Sequence, residues 1–277
     1  MDRDFPRRSL AFSDGMVIQY MEVANGTVPI VWIHGMGSYR EVFHPVFKNP
    51  PVPGRHIALD LPGFGDSGHY PNRHTMENYA ASLLQVLDSL NLAQPILVGH
   101  SFGGMVAGQT LMSRPDRIRG VIFVSSAGWF NPEHAMAPTP YFLVNRMGIW
   151  ITGMEWFGRR MMTALGVNPD QLGKADRRRL QKGWRRAYEM ARMGAFYEVP
   201  RFTEQVMAAG RPLAAIHGTR DMLFPIGRLQ EVLAGRLPLW TIEGAGHVPF
   251  YSHPTEFRQA FQEAYAHLAA PQHSGTQ

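Results

Sequence analysis

The chain has 277 residues, a length that suits one large domain or a domain with an insertion. Apolar residues make up 45% of it, enough for a sizeable core, and the absence of cysteine excludes disulfides, thiolate metal sites and cysteine catalysis. The formal net charge is +5, but no nucleic-acid-binding motif accompanies it, so no nucleic-acid partner is predicted.

The N-terminus and the hydropathy pattern bear on location. Residues 1–8 lack the apolar core of a signal peptide, and no run of 18 or more apolar residues is present. We therefore expect a cytoplasmic protein without a transmembrane segment. The sequence predicts no particular oligomeric state.

The first 128 residues predict short apolar strands that alternate with helices. Asp14-Gly15 marks the turn of an opening hairpin, and a helix with one apolar face starts at Thr75. Ser38 with Glu41 three residues later is typical of a capping box at the start of a short helix. The predicted strands are 10–12, 16–23, 29–33, 55–61, 96–98 and 120–124.

The alternation stops after Gly128 and resumes at Leu213. Later strands are predicted at 213–217 and 237–242, and later helices at 226–233 and over the apolar face Phe257, Ala260, Phe261, Ala264 and Leu268. Strands that alternate with helices predict an α/β fold with a mostly parallel central sheet flanked by helices. The predicted domains are a core (1–128 and 211–270), an inserted helical cap or lid (129–210) and a flexible tail (271–277).

The predicted cap carries the basic charge of the chain. Residues 159–192 contain ten basic and three acidic residues, an excess of seven positive charges. A solvated helix face explains such an excess, and a contact with an anionic substrate or a lipid surface is the alternative. On the first interpretation, changes at Arg177 to Arg179 should matter little for neutral substrates.

A nucleophile candidate lies in the stretch from Pro95 to Gly104. The apolar residues 96–98 precede Gly99-His100-Ser101-Phe102-Gly103, which matches G-x-S-x-G, and a helix can follow. A serine at a sharp strand-to-helix turn needs small neighbours on both sides, because the strand and the helix pass close together. The pattern therefore predicts Ser101 as a nucleophile at the sheet edge.

A serine hydroxyl needs a base, and the base needs an orienting acid. His247 follows the last predicted strand in a glycine-rich loop and is the base candidate. Asp221 follows the preceding strand and is the acid candidate, although an ordinary turn aspartate has the same sequence context. Glu133 is the competing acid, and we favour Asp221.

These residues, together with the His34-Gly35 loop and the stretch Asp60-Leu61-Pro62-Gly63-Phe64-Gly65-Asp66-Ser67, resemble the α/β-hydrolase superfamily over nearly the whole core. The resemblance implies an oxyanion hole made by the amides of Phe102 and Met36. It also implies attack by Ser101 on an acyl carbonyl, an acyl-enzyme that water then hydrolyses, and no need for a metal or organic cofactor. Members with an aspartate nucleophile are disfavoured because Ser101 occupies that position.

The substrate class is left open by the sequence. The large apolar side chains of the cap favour an apolar carboxylic ester as a small-molecule substrate. The pocket candidates are Trp129, Trp150, Trp156 and Val248. One alternative is a carbon–carbon bond hydrolase of a dienoate-type diketone, disfavoured because Val248 replaces the tryptophan that commonly follows the catalytic histidine in those members. A slow-turnover ligand receptor on the same fold is the non-enzyme alternative.

Overall fold

The computed structural model describes residues 5–69, 74–130, 155–171, 173–174, 177–180, 182–183, 186 and 201–269. Its strands are β1 (Arg8–Ala11), β2 (Val17–Ala24), β3 (Pro29–Ile33), β4 (Arg55–Leu59), β5 (Ile96–His100), β6 (Gly120–Val124), β7 (Leu213–Gly218) and β8 (Leu239–Ile242). The helices whose bounds it describes are α1 (His44–Lys48), α2 (Met76–Ser89), α3 (Phe102–Ser113), α4 (Glu155–Ala164), α5 (Phe202–Ala208), α6 (Ile226–Leu233), α7 (Pro249–Ser252) and α8 (Pro254–Ala269). Short 3₁₀ turns cover Arg40–Phe43, Pro115–Arg117 and Pro169–Gln171.

The strands form one sheet in the order β1-β2-β4-β3-β5-β6-β7-β8. The predicted hairpin is present as the antiparallel pair β1–β2, and β2 also pairs antiparallel with β4. Every pair from β4 through β8 is parallel. The predicted α/β fold with a mostly parallel sheet flanked by helices is confirmed.

Both faces of the sheet are buried. Successive residues of each central strand point to opposite sides, and helices cover the side chains on each side. In β6, Val121 and Phe123 join the apolar cluster that α2 and α3 cover, whereas Ile122 and Val124 join the cluster that α8 covers. The predicted apolar face of the last helix is buried in that second cluster. Because β3 to β7 run parallel, their carboxyl ends lie at one edge of the sheet, where ligands bind in open α/β sheets.

The predicted capping box at Ser38 and Glu41 is wrong. The local element is the 3₁₀ turn Arg40–Phe43, whose cap residue is Tyr39 and makes no side-chain cap bond. The Glu41 carboxylate instead pairs with the guanidinium of Arg40 at 2.9 Å. A partly buried ion pair with a full positive charge replaces the weaker bond to a backbone N–H that a cap would supply.

The described parts of the predicted cap include helices α4 and α5. Phe202 and Val206 of α5 pack in the same core cluster as Trp129 and Phe123, so residues at both ends of the predicted cap contact the sheet core. The division at residues 129 and 210 stays a prediction, and the predicted tail 271–277 lies outside the described residues. None of the described helices is both long and apolar enough to cross a bilayer.

The strand-to-helix turn at Ser101 leaves no space for a side chain on Gly103. A Cβ there would collide with the backbone carbonyls of Ile33 and His34. Gly103→Ala should therefore lower the free energy of unfolding by about 1–3 kcal/mol, the usual cost of overpacking a core. Urea unfolding followed by circular dichroism measures this change.

Gly227→Ala is the matched control for this prediction. Gly227 lies in α6, and a Cβ at that position would meet nothing within 4 Å. Alanine should stabilise this helix by up to about 1 kcal/mol. Equal effects of the two substitutions would contradict the close approach at Gly103.

Candidate active site

Ser101 is the single residue between β5 and α3, so the chain reverses from strand to helix at this position. Its backbone has φ +53° and ψ −120°, a conformation that non-glycine residues rarely adopt. The Ser101 amide donates to the Val124 carbonyl at 3.0 Å, and the Ser101 carbonyl accepts from Gly104 at 2.9 Å and Ala127 at 3.1 Å. These bonds hold the strained turn that the sequence predicted.

Asp221 and His247 lie in the loops that follow β7 and β8, and the structure brings their side chains together. Nδ1 of His247 lies 2.9 Å from Oδ2 of Asp221. Both residues are buried, with 4% of each exposed. Since the carboxylate can only accept, Nδ1 of His247 carries the proton and Nε2 is left as the basic nitrogen.

The Asp221 carboxylate is held on its other side by the backbone of its own loop. Oδ1 accepts from the amides of Leu223 at 2.9 Å and Phe224 at 3.1 Å. Burial would by itself raise the pKa of Asp221, but the hydrogen bond and charge of His247, with smaller contributions from His217 and the Phe224 amide, hold it below its usual value. The acid therefore stays ionised at neutral pH.

His100 connects the Ser101 turn to the His247 loop. Nε2 of His100 donates to the backbone carbonyl of His247 at 2.9 Å, and the two imidazole rings lie 4.9 Å apart. Burial and the neighbouring His247 lower the pKa of His100 to about 3, so this ring is a neutral donor. The bond brings the residue that precedes Ser101 into direct contact with the loop of the base candidate.

His34 and Asp60, from the two stretches that carry the family resemblance, are both buried and hydrogen-bonded to neighbouring backbone. Nδ1 of His34 donates to the Gly35 carbonyl at 2.7 Å, and Nε2 accepts from the Leu61 amide at 3.0 Å. Burial lowers the pKa of His34 to about 4. The Asp60 carboxylate is buried, pairs with the Arg40 side chain and accepts from the Arg40 amide at 2.6 Å.

The two residues with predicted oxyanion amides lie beside the Ser101 turn. Phe102 is the first residue of α3 and directly follows Ser101. Met36 belongs to the turn 35–38, which closes with a bond of 3.1 Å from the Ser38 amide to the Gly35 carbonyl. A Cβ built on Gly35 would lie 3.0 Å from the Ser101 Cβ, so this turn packs directly against the nucleophile candidate.

The four pocket candidates have different surroundings. Trp129 is 4% exposed and packs edge-on against Phe123 and Phe202, which gives it a role in the core. Val248 is buried next to His247, whereas Trp156 is 57% exposed. Trp150 and the competing acid Glu133 lie outside the described residues. The roles of these residues in substrate binding or catalysis stay predictions.

Phe224 and His217 were not predicted from the sequence as residues of the site. The Phe224 ring lies 5.5 Å from the His247 ring and 5.9 Å from the Phe130 ring, which builds an apolar wall beside the imidazole. Nε2 of His217 donates to the Phe224 carbonyl at 2.7 Å, and this bond holds the Phe224 backbone in place. The sequence signal was that both residues lie within four positions of Asp221, His217 at the end of β7 and Phe224 in the loop that follows it.

The arrangement can carry out acid–base chemistry at one serine. Asp221 and His247 are paired through Nδ1, and the strained Ser101 turn is tied to the His247 loop by the bond from the neighbouring His100. Among the described residues, no three histidine, aspartate or glutamate side chains are grouped to hold a metal ion.

Known proteins resemble the chain over part or most of its length. A pimeloyl-(acyl-carrier protein) methyl ester esterase from Aromatoleum aromaticum is 29% identical over 244 residues, which are 82% of this chain and 94% of the relative. A dihydrolipoyllysine-residue acetyltransferase component of an acetoin cleaving system from Pseudomonas putida is 32% identical over 117 residues, which are 41% of this chain and 31% of that protein.

A solved structure and a family profile agree with this similarity. The structure of a thermophilic esterase from Thermogutta terrifontis is 21% identical, with a TM-score of 0.74, and the match covers 96% of this chain and 100% of that one. Residues 30–260 match the profile described as the alpha/beta hydrolase family. This match covers all but the first residue of β3, the strands β4 to β8, and all three of Ser101, Asp221 and His247, and so the chain belongs to the alpha/beta hydrolase family.

Proposed function

We propose that this hydrolase cleaves a carboxylic ester through a covalent acyl-enzyme on Ser101. The observation that carries the proposal is the 2.9 Å contact between His247 Nδ1 and Asp221, made beside the strained Ser101 turn. An imidazole held in this tautomer presents Nε2 as the general base for a serine hydroxyl.

In the proposed acylation step, Nε2 of His247 takes the Ser101 proton while Oγ attacks the ester carbonyl. The amides of Phe102 and Met36 stabilise the resulting oxyanion, and each such donor is typically worth about 3 kcal/mol. The carbon–oxygen bond to the alcohol then breaks, and the imidazolium of His247 gives its proton to the departing alcohol. The ionised Asp221 stabilises that imidazolium.

Deacylation repeats the same steps with water as the nucleophile. His247 removes a proton from water, the hydroxide attacks the acyl carbonyl, and the bond to Ser101 Oγ breaks as the proton returns to that oxygen. The carboxylic acid is released and the free serine is restored. The neutral His100 serves neither step as an acid or base, because burial lowers its pKa to about 3.

Two observations support an ester with an apolar acyl or alcohol group. The relative from Aromatoleum aromaticum bears the name of a methyl ester esterase. Large apolar side chains follow the acid candidate in its loop, where Met222 is 74% exposed and Leu223 36% exposed, and the Phe224 ring flanks His247. Exposed apolar groups at the rim of a site are suited to an apolar ligand.

A hydrolysis panel tests this proposal. We expect turnover of p-nitrophenyl esters, with kcat/KM that depends on acyl length from acetate to decanoate. A vinylogous diketone that is cleaved at a carbon–carbon bond is included as the competing substrate, and the Ser101→Ala variant measures background hydrolysis. Faster turnover of the diketone would favour the carbon–carbon hydrolase. Binding of esters without turnover would favour a receptor.

A further inference from the structure

The basic segment 159–192 has no role in the mechanism above, yet part of it lies against the catalytic loops. Its described residues 177–180, 182–183 and 186 are helical. Arg179, Gly183 and Arg186 are spaced four and three residues apart, and this spacing places them on one helix face. We call these three residues the docking face.

Both arginines of the docking face contact loops that follow the central strands. The Arg179 guanidinium lies 3.3 Å from Glu41 and 3.2 Å from Asp66, and 5.8 Å from the centre of the Tyr39 ring. The Arg186 guanidinium donates to the Gly63 carbonyl at 2.8 Å. The basic segment therefore is not only a solvated helix face, because these side chains are bound to the core.

The acidic partners of Arg179 belong to a partly buried ion cluster. Arg40, with a side chain that is 1% exposed, contacts Glu41, Asp60 and Asp66 at the same place. One buried arginine faces three carboxylates there, and Arg179 supplies a further positive charge from the predicted cap. Ion pairs in such a network are less screened by solvent than isolated surface pairs.

Gly183 contacts the turn that carries the Met36 amide. Gly183 is buried, and a Cβ on it would collide with the Gly37 carbonyl. Gly37 itself has φ +73°, the conformation that the third position of a type II turn requires. The turn 35–38 thus lies between Gly183 on one side and Ser101, which Gly35 touches, on the other.

We propose that the docking face positions the turn 35–38, and with it the oxyanion amide of Met36, against Ser101. Arg179 and Gly183 are positioning residues in this account, since neither touches the reacting atoms. This inference rests on the proposed function, because a positioned oxyanion amide matters only for acyl transfer. A backbone carbonyl in contact with Gly183 has little freedom to rotate, which fixes the direction of the neighbouring amides.

The test compares Arg179→Gln and Gly183→Ala with Arg178→Gln, a neighbouring basic residue with an exposed side chain. We expect the first two variants to lower kcat for a p-nitrophenyl ester by roughly 10- to 100-fold with KM changed less than about threefold, the size that a small misplacement of a catalytic group produces. Arg178→Gln should keep kcat within about twofold of the unchanged protein.

A transition-state analogue separates positioning from general damage. An alkyl trifluoromethyl ketone forms a tetrahedral adduct with an oxyanion, so its inhibition constant should rise in parallel with the loss of kcat. The affinity for the carboxylic acid product should stay the same. Thermal unfolding checks the fold, and Glu41→Gln, which removes a partner of Arg179, replaces Arg179→Gln if that variant fails to unfold cooperatively.

Unchanged kcat and ketone inhibition in Gly183→Ala and in the folded Arg179 or Glu41 variant would overturn the inference and leave the proposed function standing. An equal loss in Arg178→Gln would also overturn it, because the effect would then follow total charge. Failure of the unchanged protein to hydrolyse esters and to bind the ketone would instead remove the proposed function.

Discussion

Ser101→Ala should lower kcat for a p-nitrophenyl ester by roughly 10⁵- to 10⁶-fold, the loss seen when the nucleophile of a serine triad is removed. The alanine keeps the backbone bonds of the turn, since these involve only the Ser101 amide and carbonyl. It removes the hydroxyl that would attack the ester, so no acyl-enzyme can form. Initial rates at saturating ester, measured beside thermal unfolding, report the two effects separately.

Ser89→Ala is the control for this substitution. Ser89 is exposed at the end of α2, far from the carboxyl edge of the sheet, and its replacement should leave kcat within about twofold. A Ser101→Ala variant that retained a tenth or more of the activity would exclude Ser101 as the nucleophile. Loss of activity together with loss of the folded state would require Ser101→Cys or Ser101→Gly to decide the point.

Asp221→Asn should lower kcat by about 10⁴-fold, as the comparable change does in a serine protease. The loop determines which way the new amide points. Oδ1 must still accept from the amides of Leu223 and Phe224, so the NH₂ group of asparagine would face Nδ1 of His247. This arrangement moves the imidazole proton to Nε2 and leaves no basic nitrogen for Ser101.

The pH profile distinguishes this tautomer effect from a loss of structure. Asp221→Asn should keep cooperative unfolding near that of the unchanged protein, and its residual activity should rise at alkaline pH, where hydroxide can replace the missing base. Asp116→Asn, at an exposed carboxylate paired with Arg114, is the control. If Glu133→Gln were more damaging than Asp221→Asn, Asp221 would not be the orienting acid.

The features that the sequence predicted well depend on local patterns. Strand β6 and helix α6 have the predicted bounds, since an apolar run between turn residues and a 3.6-residue period define each. The turn at Ser101 was predictable because its geometry demands glycine at fixed positions. The predicted strand 96–98 was too short. Strand β5 continues to His100, and this leaves Ser101 as the single residue at the turn.

The features that the sequence did not reveal depend on contacts between distant residues. Glu41 suggested a helix cap, but it pairs with Arg40 and with Arg179, and Arg179 lies 138 residues further along the chain. The bond from His100 to the His247 carbonyl spans 147 residues. Nothing in the local pattern around either residue distinguishes such partners. The basic residues of the predicted cap were therefore interpreted as a solvated face.

Covalent labelling of the unchanged protein with a fluorophosphonate, followed by peptide mapping, tests most directly whether Ser101 is the nucleophile of an acyl-transfer site. We expect one adduct, on the peptide that contains Ser101, with labelling that tracks the loss of ester hydrolysis, is absent in Ser101→Ala and is slowed in Asp221→Asn. An adduct on another serine, or full ester hydrolysis by protein that resists the label, would contradict the account.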